Sequence, residues 1–194
     1  GNTWVIGILR CGQGPVCTLR YNIDTLGVQE DENACNRQAR EGFASQCPGV
    51  MHTCGHDGHT AIGLGVAEVL MNLRAQLHGT VKLIFQPAEE GVRGARAIVS
   101  KGHLDDVDYF VGTHLAPLDG PDDGAVTPAT YGSLATTKYD ILYRGAPAHA
   151  GGFPEKGRNA LLAAACAAMG LAAIPRHSEG SSRVNVGTLH AGTG

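Results

Sequence analysis

The sequence has no marked excess of charge of either sign, no apolar run long enough to cross a bilayer and no regular cysteine framework. Its 194 residues carry 15 Lys and Arg against 18 Asp and Glu, a formal net charge of -3. That leaves no basic footprint for nucleic acid. The stretch from Ala160 to Ile174 is too short and too alanine-rich to span a hydrocarbon core, and no secretory leader is recognisable. No membrane partner is expected. The six cysteines, at 11, 17, 35, 47, 54 and 166, lack framework spacing and read as reduced thiols of a cytoplasmic enzyme. Cys166, in an alanine-rich helix, reads as a small core residue. With 43% hydrophobic and 17% charged residues, the chain has the composition of a soluble globular protein of one large or two small domains.

What the sequence does have is concentrated in residues 51 to 60, MHTCGHDGHT. One thiol, three imidazoles and one carboxylate fall within eight positions. Cys54 and His56, two apart, leave the same face of an extended segment, and thiolate with imidazole suits zinc or a similar transition metal. Alone, the pair also fits a buried structural turn. A second signal follows the strand-like run Thr80 to Ile84: in FQPAEEG, Glu89 and Glu90 stand where a strand ends, which is where α/β proteins keep their sites. Adjacent carboxylates can divide the work, one binding a metal and the other moving a proton. A third apolar run, from Val107, reaches His114. Cys54, His56, Glu90 and His114 thus form a partial ligand set, with Glu89 as general base.

Taken in order, Trp4 to Leu9 and Val16 to Leu19 read as neighbouring strands about a Gly/Pro turn. Residues 29 to 49 read as a loop near the site mouth. Apolar residues at 62, 66, 69, 70, 73 and 77 give a helical period over His59 to Leu77, and His59 itself stays outside the metal set. Strand 80 to 85, helix 92 to 102 and strand 107 to 112 predict a βαβ unit with a parallel sheet. Residues 116 to 130 are the best domain boundary. Beyond them come a strand from Thr136 to Tyr143, a helix from Asn159 to Ile174 and a strand from Val184 to Leu189.

The segments MHTCGHDGHTA, LIFQPAEEG and VGTHL, in this order, resemble the amidohydrolase branch of the aminoacylase and carboxypeptidase-G-type dinuclear metallopeptidases. GAPAHAGGFPEKGRNALLAAA and SRVNVGTLHAGTG are most similar to the A-type chains of aminobenzoyl-glutamate hydrolases. The resemblance covers nearly the whole chain. It implies an α/β, dinuclear zinc-peptidase-like catalytic domain with a parallel-containing sheet over residues 1 to 118, incomplete here. Residues 131 to 194 would be the first part of a ferredoxin-like α+β lid and dimerisation domain.

It also implies two divalent ions, manganese or zinc, and hydrolysis of an N-acyl or N-aroyl amino acid, with an aminobenzoyl-glutamate-like substrate favoured over hippurate or indole-acetyl conjugates. Asp24 matches an acid that orients or tunes the metal site; its residue-level alternative is a strand-end turn. Asn22 departs from the acid usual at that position. His149 matches a histidine that polarises the scissile carbonyl, where residues alone would favour a turn histidine. Asn185 matches a substrate contact, with Arg183 as an alternative anion contact. A homodimer, or a hetero-oligomer with a related subunit, is expected through the lid. Members of the branch are roughly twice as long, so this stretch reads as a fragment that lacks the fifth ligand, a histidine. A non-catalytic metal-binding or dimerisation module is the rival from another class; the retained Glu89 speaks against it.

Overall fold

The structure, a computed structural model, describes residues 3–31, 37–116, 124–129, 131–180 and 182–192. Four runs rich in aliphatic and β-branched residues form one mixed sheet: Val5–Arg10 (β1), Val16–Asn22 (β2), Thr80–Gln86 (β3) and Tyr109–Gly112 (β4). Their order is β1-β3-β2-β4. β2 is parallel to both β3 and β4, and β1 is antiparallel to β3. The parallel relation expected between residues 80 to 85 and 107 to 112 is present, with β2 lying between them.

The expectation that β1 and β2 are neighbours is corrected: β3 separates them, with Val5 opposite Phe85 and Asn22 opposite Gln86. The reason lies in the turn between them. It is held by Gly79, whose carbonyl accepts from Cys11 N at 2.8 Å and whose N–H donates to Gln13 O at 3.1 Å. A Cβ on Gly14 would stand 2.9 Å from Gly79 N, and one on Gly79 2.3 Å from Pro15 O. Two bare glycines let the start of β3 enter between the strands.

His56–Asn72 (α2) starts three residues before the expected His59 and ends before Leu77, where a 3-10 turn, Arg74–Gln76, follows. Ahead of it, one helical turn, Arg37–Arg40 (α1), interrupts the expected loop. α2 lies on β2 and β3, with Gly63 against Tyr21 and Phe85, whose ring centroids are 5.6 Å apart. A Cβ there would stand 2.7 Å from Phe85 and 2.8 Å from Tyr21. Gly63→Ala is therefore expected to destabilise the protein by about 1–3 kcal/mol through overpacking, despite alanine's better helix propensity, and a lowered denaturant midpoint would show it. Gly94–Ser100 (α3) connects β3 to β4. It begins two residues later than expected because Val92 has φ 55, outside the helical region. Buried Lys82 fastens the connection beyond α3, donating to His103 O at 3.0 Å and to the Asp106 carboxylate.

The chain divides into two compact units, Gly1–Ala125 and Val126–Gly194. The second contains Ala160–Ala172 (α4), capped by Asn159, whose side-chain oxygen accepts from Leu162 N at 3.1 Å. The strands expected at Thr136 to Tyr143 and Val184 to Leu189 are corrected: neither forms a ladder among the described residues. Both have strand composition, but a strand exists only with a partner for its N–H and C=O groups. Cys166 is also corrected from core to exposed, since α4 buries Ala164. All five described cysteines are free. Cys35 lies outside the described residues, as do positions 117–123 and 130 of the expected boundary. Among the described residues no helix is long and apolar enough to cross a membrane.

Candidate metal centre

The three parallel strands end side by side, and each is followed by a segment that carries chemistry. β2 leads to Asp24, β3 to Glu89 and Glu90, β4 to His114, while Cys54 and His56 come in at the start of α2. The turn after β3 is unusually tight. Ala88 and Val92 have φ values of 54 and 55, Val92 N donates to Glu89 O at 2.8 Å, and Gly94 N donates to Ala88 O at 3.0 Å. A Cβ on Gly94 would stand 1.7 Å from Pro87 O. The left-handed region is costly for a β-branched residue, about 1–2 kcal/mol. Exposed Val92 replaced by Asn, which tolerates that region, is expected to stabilise the protein by about 1 kcal/mol, read as a raised denaturant midpoint.

Asp24 holds two of these segments together. Its Oδ2 accepts from Glu90 N at 3.0 Å. His56 Nδ1 donates to its backbone carbonyl at 2.9 Å and lies 3.3 Å from its Oδ1. That fixes the proton of the buried His56 ring on Nδ1 and leaves the Nε2 lone pair facing inward. His114 Nδ1 likewise donates to Leu115 O, so its Nε2 faces Cys54 Sγ at 3.5 Å. Glu89 Oε2 lies 4.0 Å from His56 Nε2.

Two groups of donors result, Cys54 with His56 and His114, and His56 with Glu89 and Glu90. Within each, the candidate ligand atoms all lie within 4.8 Å of one another. Burial pushes the Cys54 thiol up, and a hydrogen bond with Glu90 and the charges of Glu90, Glu89 and Asp24 push it further. A bound dication reverses that balance, because it favours thiolate and carboxylate together. Inward lone pairs, a thiol and crowded acids fit a divalent transition metal.

Sequence reasoning noted Asn22 only as a departure from the usual acid, and it missed Arg20. Asn22, fully buried, lies with its Nδ2 3.4 Å from His56 Nε2. Arg20 donates through Nε to Gln86 Oε1 at 3.0 Å. Burial lowers its pKa below the ordinary guanidinium value, and the nearby Glu89 and Asp24 oppose that shift. Its signal was its place two residues before Asn22 at a strand end. His59 is fully buried. Burial, then the neighbouring His114, His56 and Arg20, push it down to about 4, with Asp57 acting the other way.

The structure thus brings together Asp24, Cys54, His56, Glu89, Glu90 and His114. His149, Arg183 and Asn185 belong to the second unit. His149 Nδ1 accepts from Gly151 N at 3.1 Å and from Gly152 N at 2.9 Å, which leaves the ring proton on Nε2. Arg183 Nη1 donates to Ser182 O at 3.0 Å.

The sequence profile of peptidase family M20/M25/M40 matches residues 18–187. The chain belongs to this family. Among its M20 relatives, the indole-3-acetyl-aspartic acid hydrolase of Enterobacter agglomerans is 55% identical over 100% of this chain and 44% of its own length. One of the p-aminobenzoyl-glutamate hydrolase chains of Escherichia coli K12 is 52% identical, again over 100% of this chain and 44% of its own. The crystal structure of an aminobenzoyl-glutamate utilization protein from Klebsiella pneumoniae superimposes with a TM-score of 0.62 at 45% identity, covering 97% of this chain and 41% of that one. This chain therefore spans less than half the length of these M20 relatives.

Proposed function

We propose that the protein is a metal-dependent amidohydrolase cleaving the amide bond of an N-acyl or N-aroyl amino acid. The observation that carries this reading is the convergence of Cys54, His56, Glu90 and His114 beside Glu89 at the ends of three parallel strands. Two divalent ions, manganese or zinc, held by Cys54, His56, Glu90 and His114, would supply Lewis-acid activation of water when bound. Glu89 stands at the edge of the donor set with its side chain about one third exposed. It takes a proton from the attacking water at a carboxylate oxygen and returns it to the leaving amine nitrogen. Asp24 positions both His56 and the Glu89-Glu90 turn.

In the second unit, the two glycine N–H groups keep His149 with Nε2 as a donor, suited to a developing carbonyl oxyanion. Asn185 and Arg183 would receive the polar groups of the amino-acid moiety. In this reading residues 1 to 118 are part of the catalytic domain, and residues 131 to 194 are part of a lid through which a homodimer or a hetero-oligomer with a related subunit forms. An aminobenzoyl-glutamate-like substrate agrees with the 52% identical relative. The 55% identical relative favours an indole-acetyl amino acid as the second reading.

The test is metal content together with hydrolysis of p-aminobenzoyl-glutamate and indole-acetyl-aspartate by the full-length enzyme supplied with manganese or zinc. Turnover of either with two ions per chain supports the hydrolase. Metal without turnover of any acyl amino acid overturns it in favour of a binding module.

A further inference from the structure

His59 is the one fully buried histidine that the proposed chemistry leaves unused, and its surroundings assign it a task. Its Nε2 accepts the N–H of Leu115 at 2.9 Å, which requires a neutral ring with its proton on Nδ1. That Nδ1 is buried and has no hydrogen-bond partner among the described residues. An apolar residue of similar size would fill this space without a stranded Nδ1–H but would leave the Leu115 N–H without its acceptor. What His59 supplies here beyond bulk is that acceptor.

The residue it holds is Leu115, directly after His114. Leu115 is gripped from both sides of its backbone: its N–H goes to His59, and its carbonyl accepts from His114 Nδ1. Its side chain lies against bare helix start, where a Cβ on Gly58 would stand 2.4 Å from Leu115 Cδ1 and one on Gly55 3.5 Å from the same atom. The rings of His59 and His114 are 4.5 Å apart, edge to face. This clip joins the segment after β4 to the beginning of α2, the two pieces of chain that bring His114 against Cys54 and His56.

We infer that His59 is a positioning residue which, by accepting the Leu115 N–H, presents His114 Nε2 to the Cys54 and His56 donors and so sets the affinity of the centre for its metal. Its Nε2 is taken by that bond, so His59 is not itself a donor to the ion. The inference rests on the metal-centre reading above.

The test is a competition titration of the metal-free full-length protein with zinc against a chromophoric chelator. His59→Leu, which keeps bulk and loses the acceptor, is expected to bind zinc about 10–100-fold more weakly. His59→Gln, whose amide oxygen can accept the same N–H, is expected to recover most of the loss. Leu115→Pro cuts the same bond from the donor side, so it should weaken zinc comparably. It also decides the matter if His59→Leu does not fold.

Wild-type affinity in His59→Leu or in Leu115→Pro overturns the inference and leaves His59 a packing residue. Loss of a whole equivalent of zinc in both His59 variants overturns it in favour of direct ligation. If the wild-type protein takes up neither zinc nor manganese, the metal-centre reading falls and this one with it, an outcome visible before any variant is made.

Discussion

Glu89→Gln is expected to leave metal uptake unchanged while cutting turnover by about 100- to 10,000-fold, the range spanned by loss of a positioned general base. The substitution keeps shape and removes the ability to accept a proton at neutral pH. Its geometry argues for an effect on turnover rather than on assembly. The hydrogen bond that ties the turn to Asp24 is made by the Glu90 N–H, and the contact closing the turn uses the Glu89 carbonyl, so the Glu89 side chain holds neither. Metal analysis and steady-state kinetics on the full-length enzyme decide the matter. Near wild-type turnover in Glu89→Gln removes Glu89 from the base role, and loss of metal from the variant makes it a ligand instead.

His56→Ala should have the largest effect on the centre itself. His56 is shared by both donor groups, it is fully buried, and its far nitrogen is tied to the carbonyl of Asp24. Removing it takes one donor from each group, leaves the Asp24 carbonyl without its partner and opens a cavity behind Asn22. Zinc affinity is expected to fall by more than about 100-fold, beyond what loss of an outer partner alone costs, and activity should fall with it. Equilibrium dialysis measures this directly. Unchanged zinc stoichiometry and affinity in His56→Ala would mean that the ion is held elsewhere.

Much of the centre was legible because strand ends announce themselves. Glu89, Glu90 and His114 each follow an apolar run, and once those runs are read as parallel strands, the three segments must lie on one edge of the sheet. Cys54 and His56 stood out by ligand density. Other features depend on partners distant in sequence. The entry of β3 between β1 and β2 is set by close backbone approach at Gly14 and Gly79, which no periodicity records. Hydrophobic period placed the start of α2 at His59, yet the helix takes in His56 because its first turn is anchored to Asp24 rather than to apolar neighbours. The left-handed backbone at Val92 runs against residue preference, so composition predicts helix where the chain makes a strained turn. In the second unit, Thr136 to Tyr143 and Val184 to Leu189 were read as strands from their composition, but nothing local says whether a ladder partner is present.

The sheet order also imposes a timetable on synthesis. β1 and β2 leave the ribosome ahead of β3, yet neither pairs with the other. Each has to wait some sixty or more positions for Thr80–Gln86, the strand that pairs with both. Cys54 and His56 are therefore translated before β3 has joined β1 and β2, and the centre closes only when Tyr109–Gly112 docks on β2 and brings His114 into place. A thiol and several imidazoles are in this way exposed on a growing chain well before the acids that complete their set have a frame to stand on.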